Sequence, residues 1–318
     1  MTKDNKTNEL HFLYCFDSNF NKQALTSIKS LLDVSTEKVN IHIIHQNAQE
    51  CNRLVKKLEG EINLAGLNIY QFDKNKIVLP AVKSHVSEAT YYRLFITDFL
   101  PKDLKYITYL DADIICVNDP VQAIRETNHE LLMDNKILAA LTDTKRERNN
   151  KLFNRLNLKG NNYFNAGVLI IDFEKWLSTN VQDGLFKIIE KNFNEINDYD
   201  QEILNIYFDD NFTEINPYLN FQAIGGQPEL IKLIKKKAFF LHYLGKNKPW
   251  TVIGIIDPIS KFYQEAFRKL KYQEYHLTFE RNPRILKKFL RIVVSLKFLE
   301  FEKPGYYLIV SLKRFFVG

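Results

Sequence analysis

Lys105-Tyr-Ile-Thr-Tyr-Leu-Asp111-Ala-Asp113-Ile-Ile-Cys-Val-Asn118-Asp119-Pro120 opens as a β-rich apolar run and stops on two aspartates one residue apart. Side chains two apart on extended backbone point the same way. Provided that the backbone stays extended there, Asp111 and Asp113 present hard oxygen ligands to one divalent cation, and such a cation typically also binds a substrate's phosphates. The plain alternative is a solvated turn after a strand, since Asp-x-Asp arises by chance in a chain this long. Context favours the ligand reading. The carboxylates end an apolar strand, and Asn118-Asp119-Pro120 supplies a turn soon after. Ligands of open α/β sheets sit at the carboxyl ends of strands.

Strands alternate with helices along the chain, which implies an α/β protein with a mainly parallel sheet. Residues 10–16 read as a buried strand, with Asp17-Ser18-Asn19-Phe20 as the polar turn at its end; Asp17 is a candidate ligand or a plain helix cap. Ala24, Leu25, Ile28, Leu31 and Leu32 then recur at helical spacing. Residues 39–45 form a second strand, 49–58 a second helix and 68–72 a third strand. Ser84-His85-Val86-Ser87 leads into an expected helix over 89–99 that carries Tyr91, Tyr92 and Arg93. Residues 137–143 are another apolar strand ending on an aspartate, Asp143.

Tyr163-Phe-Asn165-Ala-Gly167-Val-Leu-Ile-Ile-Asp172 reverses this pattern, with its polar and small residues before the apolar run. Gly167 there permits close approach of a ligand, or marks a β-bulge. After a helix near 181–192 comes Asp198-Tyr199-Asp200-Gln201-Glu202, whose bland reading is N-capping by Asp198 or Asp200. The last informative stretch is a strand ending on His242, followed by Gly245-Lys246-Asn247-Lys248-Pro249-Trp250. A lone histidine is usually structural. A histidine, a glycine loop and a lysine together supply what a metal-diphosphate site needs: an imidazole ligand, backbone N–H groups that approach phosphate, and an ammonium.

The 318 residues are 45% hydrophobic and 26% charged, an ordinary globular composition. Cys15, Cys51 and Cys116 lack metal-site or disulfide-framework spacing, which fits a reducing compartment. The N-terminal apolar run, broken by Asp17, is too short for a signal-peptide core, and no run reaches the roughly 18 apolar residues of a membrane span. The net charge of +6 is uneven: residues 281–318 hold nine Lys/Arg, Arg281 among them, against Glu300 and Glu302. Wound as a helix, 283–298 puts Ile285, Phe289, Ile292, Val293 and Leu296 on one side and Arg284, Lys287, Lys288 and Arg291 on another. Such a segment lies in an anionic membrane interface or packs on the domain with a solvated basic face. A nucleic-acid role is disfavoured, because no recognition motif accompanies the patch. The expected division is a catalytic domain over 1–275 and a basic amphipathic membrane-associating tail over 276–318. The expected location is the cytoplasm, peripheral at the inner face of the cytoplasmic membrane.

These stretches together resemble the retaining glycosyltransferases of family 8, especially bacterial lipooligosaccharide and lipopolysaccharide α-galactosyl- and glucosyltransferases. The matching motifs are Phe16 to Phe20, His85 to Arg93, Tyr109 to Asp113, Thr142-Asp143, Tyr163 to Leu169, Asp198 to Asn205 and His242 to Trp250. The resemblance implies a GT-A, Rossmann-like nucleotide-sugar-binding fold and transfer of galactose or glucose from a UDP-sugar to a glycan or glycolipid acceptor. It implies manganese, with magnesium as the alternative, held by Asp111, Asp113 and His242. Gly245 and Lys248 would hold the diphosphate, and Asp17 and Asn19 the uridine. Phe20 stands where relatives often have tyrosine, so stacking on uracil persists without a hydroxyl contact. Arg93, Ala112, Asp143, Asn165, Gly167, Asp200 and Gln201 would surround the donor sugar, with Gln201 and Asp200 as the catalytic pair.

Breaking the anomeric C–O bond adds charge to UDP, which a cation and Lys248 would stabilise. Retention by same-face attack and by a covalent intermediate on Asp200 or Gln201 both remain open at this point. So do a protein or capsule acceptor and a non-catalytic sugar-nucleotide or membrane-binding module. A haloacid-dehalogenase-like phosphatase also places Asp-x-Asp after a strand, but wants Thr or Val where Ile115 stands.

Overall fold

The computed structural model describes residues 9–73, 79–80, 87–193, 195–223, 225–272, 274–280 and 282–316. Ser84, His85 and Val86 of the expected motif, and Arg281 of the basic tail, lie outside the described residues. In chain order the strands are β1 (Leu10–Phe16), β2 (Val39–His45), β3 (Leu64–Gln71), β4 (Tyr106–Leu110), β5 (Ile114–Cys116), β6 (Leu138–Lys145), β7 (Asn162–Asp172), β8 (Thr213–Glu214), β9 (Phe221–Ala223) and β10 (Phe240–Tyr243).

The main sheet has the order β3-β2-β1-β4-β7-β6-β8. β1 pairs in parallel with β2 and β4, β2 with β3, and β6 with β8, whereas β7 is antiparallel to both β4 and β6. A sheet covered on both faces needs apolar side chains on both. β1 shows this directly: Leu10, Phe12, Tyr14 and Phe16 enter one core, and Leu13 and Cys15 the other. The helix Asn21–Val34 lays Ala24, Leu25, Ile28, Leu31 and Leu32 on the first core, at the spacing the sequence predicts. Because β7 runs against its neighbours, its start lies at the same sheet edge as the end of β4, where Leu110 pairs with Val168. The reversed polarity of that segment in the sequence is the mark of this reversed strand.

Two expectations change in the structure. The aspartates do not sit on extended backbone: Asp111, Ala112 and Asp113 form a turn, closed by the Ile114 N–H donating to the Asp111 carbonyl at 3.2 Å. The chain here leaves the main sheet and enters a second, three-stranded sheet of order β5-β10-β9, so the turn carries both carboxylates at the seam. The expected helix over 89–99 is a 3-10 segment, Glu88–Phe95, followed by one α turn, Ile96–Phe99. Residues three apart eclipse one another in a 3-10 helix. That winding stacks Ala89, Tyr92 and Phe95, all buried, and sets Thr90 over Arg93.

A third core, including Ile115, Leu241, Tyr243, Trp250, Tyr263 and Phe267, supports the second sheet. A fourth joins Val252, Ile255, Tyr275 and Leu277 to Phe289, Phe301 and Tyr307 of the C-terminal segment. Helix Pro283–Val294 stops short of the expected end, with Leu296 in the left-handed region at φ 58°, and helix Pro304–Phe316 follows. No helix among the described residues is long and apolar enough to cross a membrane.

At the seam between the sheets, Gly167 of β7 faces the His242 ring of β10. A Cβ at Gly167 would lie 2.4 Å from His242 Cε1 and 2.8 Å from Nδ1. His242 is buried and paired through backbone with Ile114 and Gln222 on either side, so the ring has little room to retreat. Gly167→Ala is expected to lower the denaturant midpoint by an overpacking cost of about 1–3 kcal/mol. Wild-type stability in that variant would show that the ring can move aside.

Candidate functional site

Site-bearing residues come from the ends of β1, β4 and β6, the start of β7 and the end of β10. Arg93, from the 3-10 segment, lies beneath them with its side chain 7% exposed. Its Nη2 meets Asp111 Oδ1 at 2.6 Å and its Nε lies 3.0 Å from Asp200 Oδ2. Nη1 donates to the Ala166 carbonyl at 2.6 Å, and the guanidinium stacks over Tyr109, 3.9 Å from the ring centroid. The Nε proton is directed at the Thr90 carbonyl, 3.2 Å away, so the contact with Asp200 Oδ2 is an ion pair without a well-aligned hydrogen bond. Thr90 Oγ1 donates to the other Asp200 oxygen. Burial pushes the Asp200 carboxyl up to about 6, with Arg93 and Thr90 opposing that rise. The capping role is absent for Asp200, and Asp198 occupies the N-cap of helix Tyr199–Phe208 without a side-chain cap bond.

Among the described residues, Asp111, Asp113 and His242 form a group whose ligand atoms all lie within 4.8 Å of one another. Asp113 Oδ2 accepts from Lys248 Nζ at 2.6 Å. Its Oδ1 is buried without a hydrogen-bond donor and stands 3.5 Å from His242 Nε2. Burial lowers the His242 imidazole, against the pull of Asp113 and Asp111, which leaves the ring neutral at pH 7. Burial also raises the Asp113 carboxyl, but charge nearby outweighs it and the group sits below the usual carboxylate range. Lys248, the larger of these influences, is ahead of His242 in holding the Asp113 carboxyl low. His242 Nδ1 contacts Asn220 Oδ1 at 3.0 Å, which leaves Nε2 facing Asp113. An unmet buried acceptor such as Asp113 Oδ1 costs about 1–3 kcal/mol. A cation beside it removes that penalty, and two carboxylates with one imidazole are ordinary ligands for one, so these residues fit a divalent metal.

The other expected residues fall around this group. Asp17 ends β1 and both caps and anchors: it accepts from the Asn19 N–H at 2.9 Å and from Ser87 Oγ at 2.6 Å. Asn19 is exposed, Phe20 half-buried against two cores, and Ala112 half-buried in the aspartate turn. Asp143 lies where the β6–β7 register slips, between Thr142 and Thr144. Its carboxyl is pushed up by burial, softened by Gln222, whose Nε2 has no well-formed hydrogen bond. Gln201 Oε1 accepts from the Ala166 N–H at 2.9 Å and lies 3.4 Å from Asn165 Nδ2. Gly245, at φ 74°, takes a left-handed turn that glycine adopts without strain, and a cleft of 190 Å³ opens beside it, lined also by Lys246, Asn247 and Pro249. Asn220, Gln222, Ser87 and Thr90 were not singled out by sequence reasoning. Asn216-Pro217-Tyr-Leu-Asn220 reads as a turn, and only its pairing beside β10 brings it to the site.

The model of the family described as "Glycosyl transferase family 8" matches residues 11–254. The lipopolysaccharide 1,3-galactosyltransferase of Salmonella typhimurium is 26% identical over 275 residues, covering 81% of this chain and 77% of that protein. The lipopolysaccharide 1,2-glucosyltransferase of Escherichia coli is 26% identical over 226 residues, covering 68% and 64%. The crystal structure of the galactosyltransferase LgtC with donor and acceptor sugar analogs superposes with a TM-score of 0.70 at 21% identity, over 83% of this chain and 98% of that one. That superposition shows the GT-A fold with its largely parallel central sheet. The family match spans the whole stretch from β1 to the loop after His242, and the chain is therefore a glycosyltransferase belonging to glycosyl transferase family 8.

Proposed function

We propose that the protein moves a hexose, galactose or glucose, from a UDP-sugar to a glycan acceptor with retention of anomeric configuration. The observation that carries this reading is the convergence of Asp111, Asp113 and His242, with Asp113 Oδ1 buried and unmet, beside the Lys248 ammonium. Manganese suits two carboxylates with one imidazole, and magnesium is the alternative ion. When bound there, such a cation supplies positive charge to the departing UDP. Lys248 and the Gly245 loop hold the diphosphate; Asp17, Asn19 and Phe20 hold the uridine. Arg93, Ala112, Asp143, Asn165, Gly167, Asp200 and Gln201 form the sugar side.

Asp200 is 4% exposed, pairs with Arg93 and accepts from Thr90. Those contacts favour Asp200 as the group that keeps Arg93 and Asp111 in place rather than as a nucleophile. The reading adopted is same-face displacement: the acceptor oxygen bonds to the anomeric carbon as the carbon–phosphate oxygen bond breaks, and the acceptor's proton passes to the departing phosphate. Gln201, whose Oε1 accepts from the Ala166 N–H, would line this face. The lipopolysaccharide enzymes among the relatives support a lipid-linked bacterial glycan as acceptor at the cytoplasmic membrane face. Among the described residues, six of the eleven exposed large hydrophobics lie in the C-terminal segment: Leu290, Val294, Leu296, Leu299, Ile309 and Leu312. Lys287, Lys288, Arg291 and Lys313 are exposed among them, which supports contact with an anionic membrane.

Calorimetric titration of UDP-galactose and UDP-glucose, with and without manganese, is expected to show metal-dependent binding of one sugar that His242→Ala and Asp113→Asn abolish. Binding in neither metal condition would move the non-catalytic module forward. The pH profile carries a second test. Asp200 must be ionised to balance Arg93, so kcat/KM is expected to fall as pH drops through about 6. Asp200→Asn should be slow at every pH and lack that limb; a limb that survives the change belongs to another group. For the membrane, Lys287→Glu, Lys288→Glu and Arg291→Glu combined should weaken binding to anionic vesicles on the order of 100-fold, at roughly 1 kcal/mol per basic residue, with UDP binding retained. Vesicle binding equal to wild type would remove the membrane from this reading.

A further inference from the structure

We infer that Asn220 is a positioning residue that fixes the tautomer of His242, as the last member of an amide relay that begins at the backbone N–H of Gly167. The inference rests on the reading of His242 as a metal ligand and adds what makes it one. The relay can be oriented because its first donor is unambiguous. The Gly167 N–H can only donate, and it meets Asn165 Oδ1 at 3.0 Å, so that atom is the amide oxygen. The same oxygen lies 2.9 Å from Asn220, which must therefore present its NH₂ group there. The opposite orientation of Asn220 would set two carbonyl oxygens against each other. Asn220 Oδ1 consequently faces His242 Nδ1 at 3.0 Å, and a carbonyl oxygen only accepts. Nδ1 then carries the proton of the neutral ring, and Nε2 presents a bare lone pair toward Asp113 Oδ1, 3.5 Å away.

Three features make this arrangement rigid. Asn220 is fully buried, at the end of the 3-10 turn Pro217–Asn220 and directly before β9, whose Gln222 pairs with His242. The missing side chain of Gly167 gives the imidazole its place. At its other end the relay reaches the sugar side, since Asn165 Nδ2 lies 3.4 Å from Gln201 Oε1. The amide pair Asn165 and Asn220 thus links the residue placed nearest the reacting sugar with the imidazole; Asn165 cannot turn over without losing the Gly167 N–H, nor Asn220 without losing the Asn165 oxygen it donates to. Partners of this kind, which orient a ligating ring through its second nitrogen, typically account for 10- to 100-fold in metal affinity.

The test uses full-length protein with ¹⁵N-labelled histidine, free of metal and at a pH where the ring is neutral. The expected spectrum of the wild type has a pyrrole-type Nδ1 and a pyridine-type Nε2 for His242, identified by its absence in His242→Ala. In Asn220→Leu the ring should shift toward the Nε2-protonated form, and manganese affinity, titrated without sugar nucleotide, should fall 10- to 100-fold. Asn220→Asp retains an acceptor for Nδ1 and should restore the wild-type tautomer, although its second oxygen then faces Asn165 Oδ1. A wild-type spectrum with Nε2 protonated overturns the inference, and so does an Asn220→Leu variant with unchanged tautomer and manganese affinity. The wild-type spectrum decides even if both variants fail to fold. If His242→Ala binds manganese as wild type does, the metal reading fails while the tautomer assignment is still judged by the metal-free spectra.

Discussion

Arg93 is the charge around which the site is built. A buried guanidinium is tolerable only when paired and fully hydrogen-bonded, and removing one partner of such a pair costs about 3–5 kcal/mol. Here the partners come from four parts of the chain: Asp111 from the turn after β4, Asp200 from the start of helix Tyr199–Phe208, the Ala166 carbonyl from β7, and the Thr90 carbonyl from its own segment. Tyr109 closes the remaining face of the guanidinium and donates to the same Asp111 oxygen at 2.6 Å. The need to compensate one buried charge therefore fixes where Asp111 and Asp200 stand before any ligand arrives.

That constraint accounts for the local backbone. An α-helix over 89–99 would turn Thr90 and Arg93 by about 300° relative to each other, whereas the 3-10 winding eclipses them. Both can then reach Asp200 from one side. Sequence periodicity has no access to this, because Ala89, Tyr92 and Phe95 are apolar at a three-residue spacing that an α-helix also tolerates. The aspartate turn is similar. Tyr106 to Cys116 reads as one continuous β-rich run, and what bends it at Asp111 is the need to pass from one sheet to another, a tertiary demand. The alternation of strands with helices and the apolar character of β1, β4 and β7 were legible because they depend on burial, which leaves a pattern in neighbouring residues.

Site residues were legible where the chemistry itself selects the side chain. Carboxylates, an imidazole and an ammonium stand out against an apolar strand end, and the family resemblance grouped Asp111, Asp113, His242 and Lys248, which the structure brings into one cluster. Gly167 also stood out, but for a reason the sequence does not carry: the space it leaves is filled by the His242 ring. Asn220 and Gln222 were invisible for the opposite reason. An asparagine after Asn-Pro-Tyr-Leu looks like turn chemistry, and its value depends on an antiparallel and a parallel pairing that put β5 and β9 on either side of β10. Residues that act by orienting others have no composition signal, because their identity is set by geometry at a distance in the chain.

The two carboxylates of the turn also differ in a way that matters for the proposed reaction. Asp111 is compensated by Arg93, which is buried and held by carbonyls on two segments, so that counter-charge does not leave. Asp113 is compensated by Lys248, which stands on a loop that turns through Gly245 at φ 74° and is 23% exposed. An ammonium on a flexible stem is an exchangeable partner. On the proposed reading, Asp113 would offer a divalent cation its Oδ1, the oxygen Lys248 does not occupy, and Lys248 could swing from Oδ2 toward a diphosphate that brings new negative charge beside it. The site then gains two positive groups toward the leaving UDP without creating an unpaired charge in either state. A fixed pair and an exchangeable pair, one residue apart, let a single turn serve both the resting protein and its loaded form.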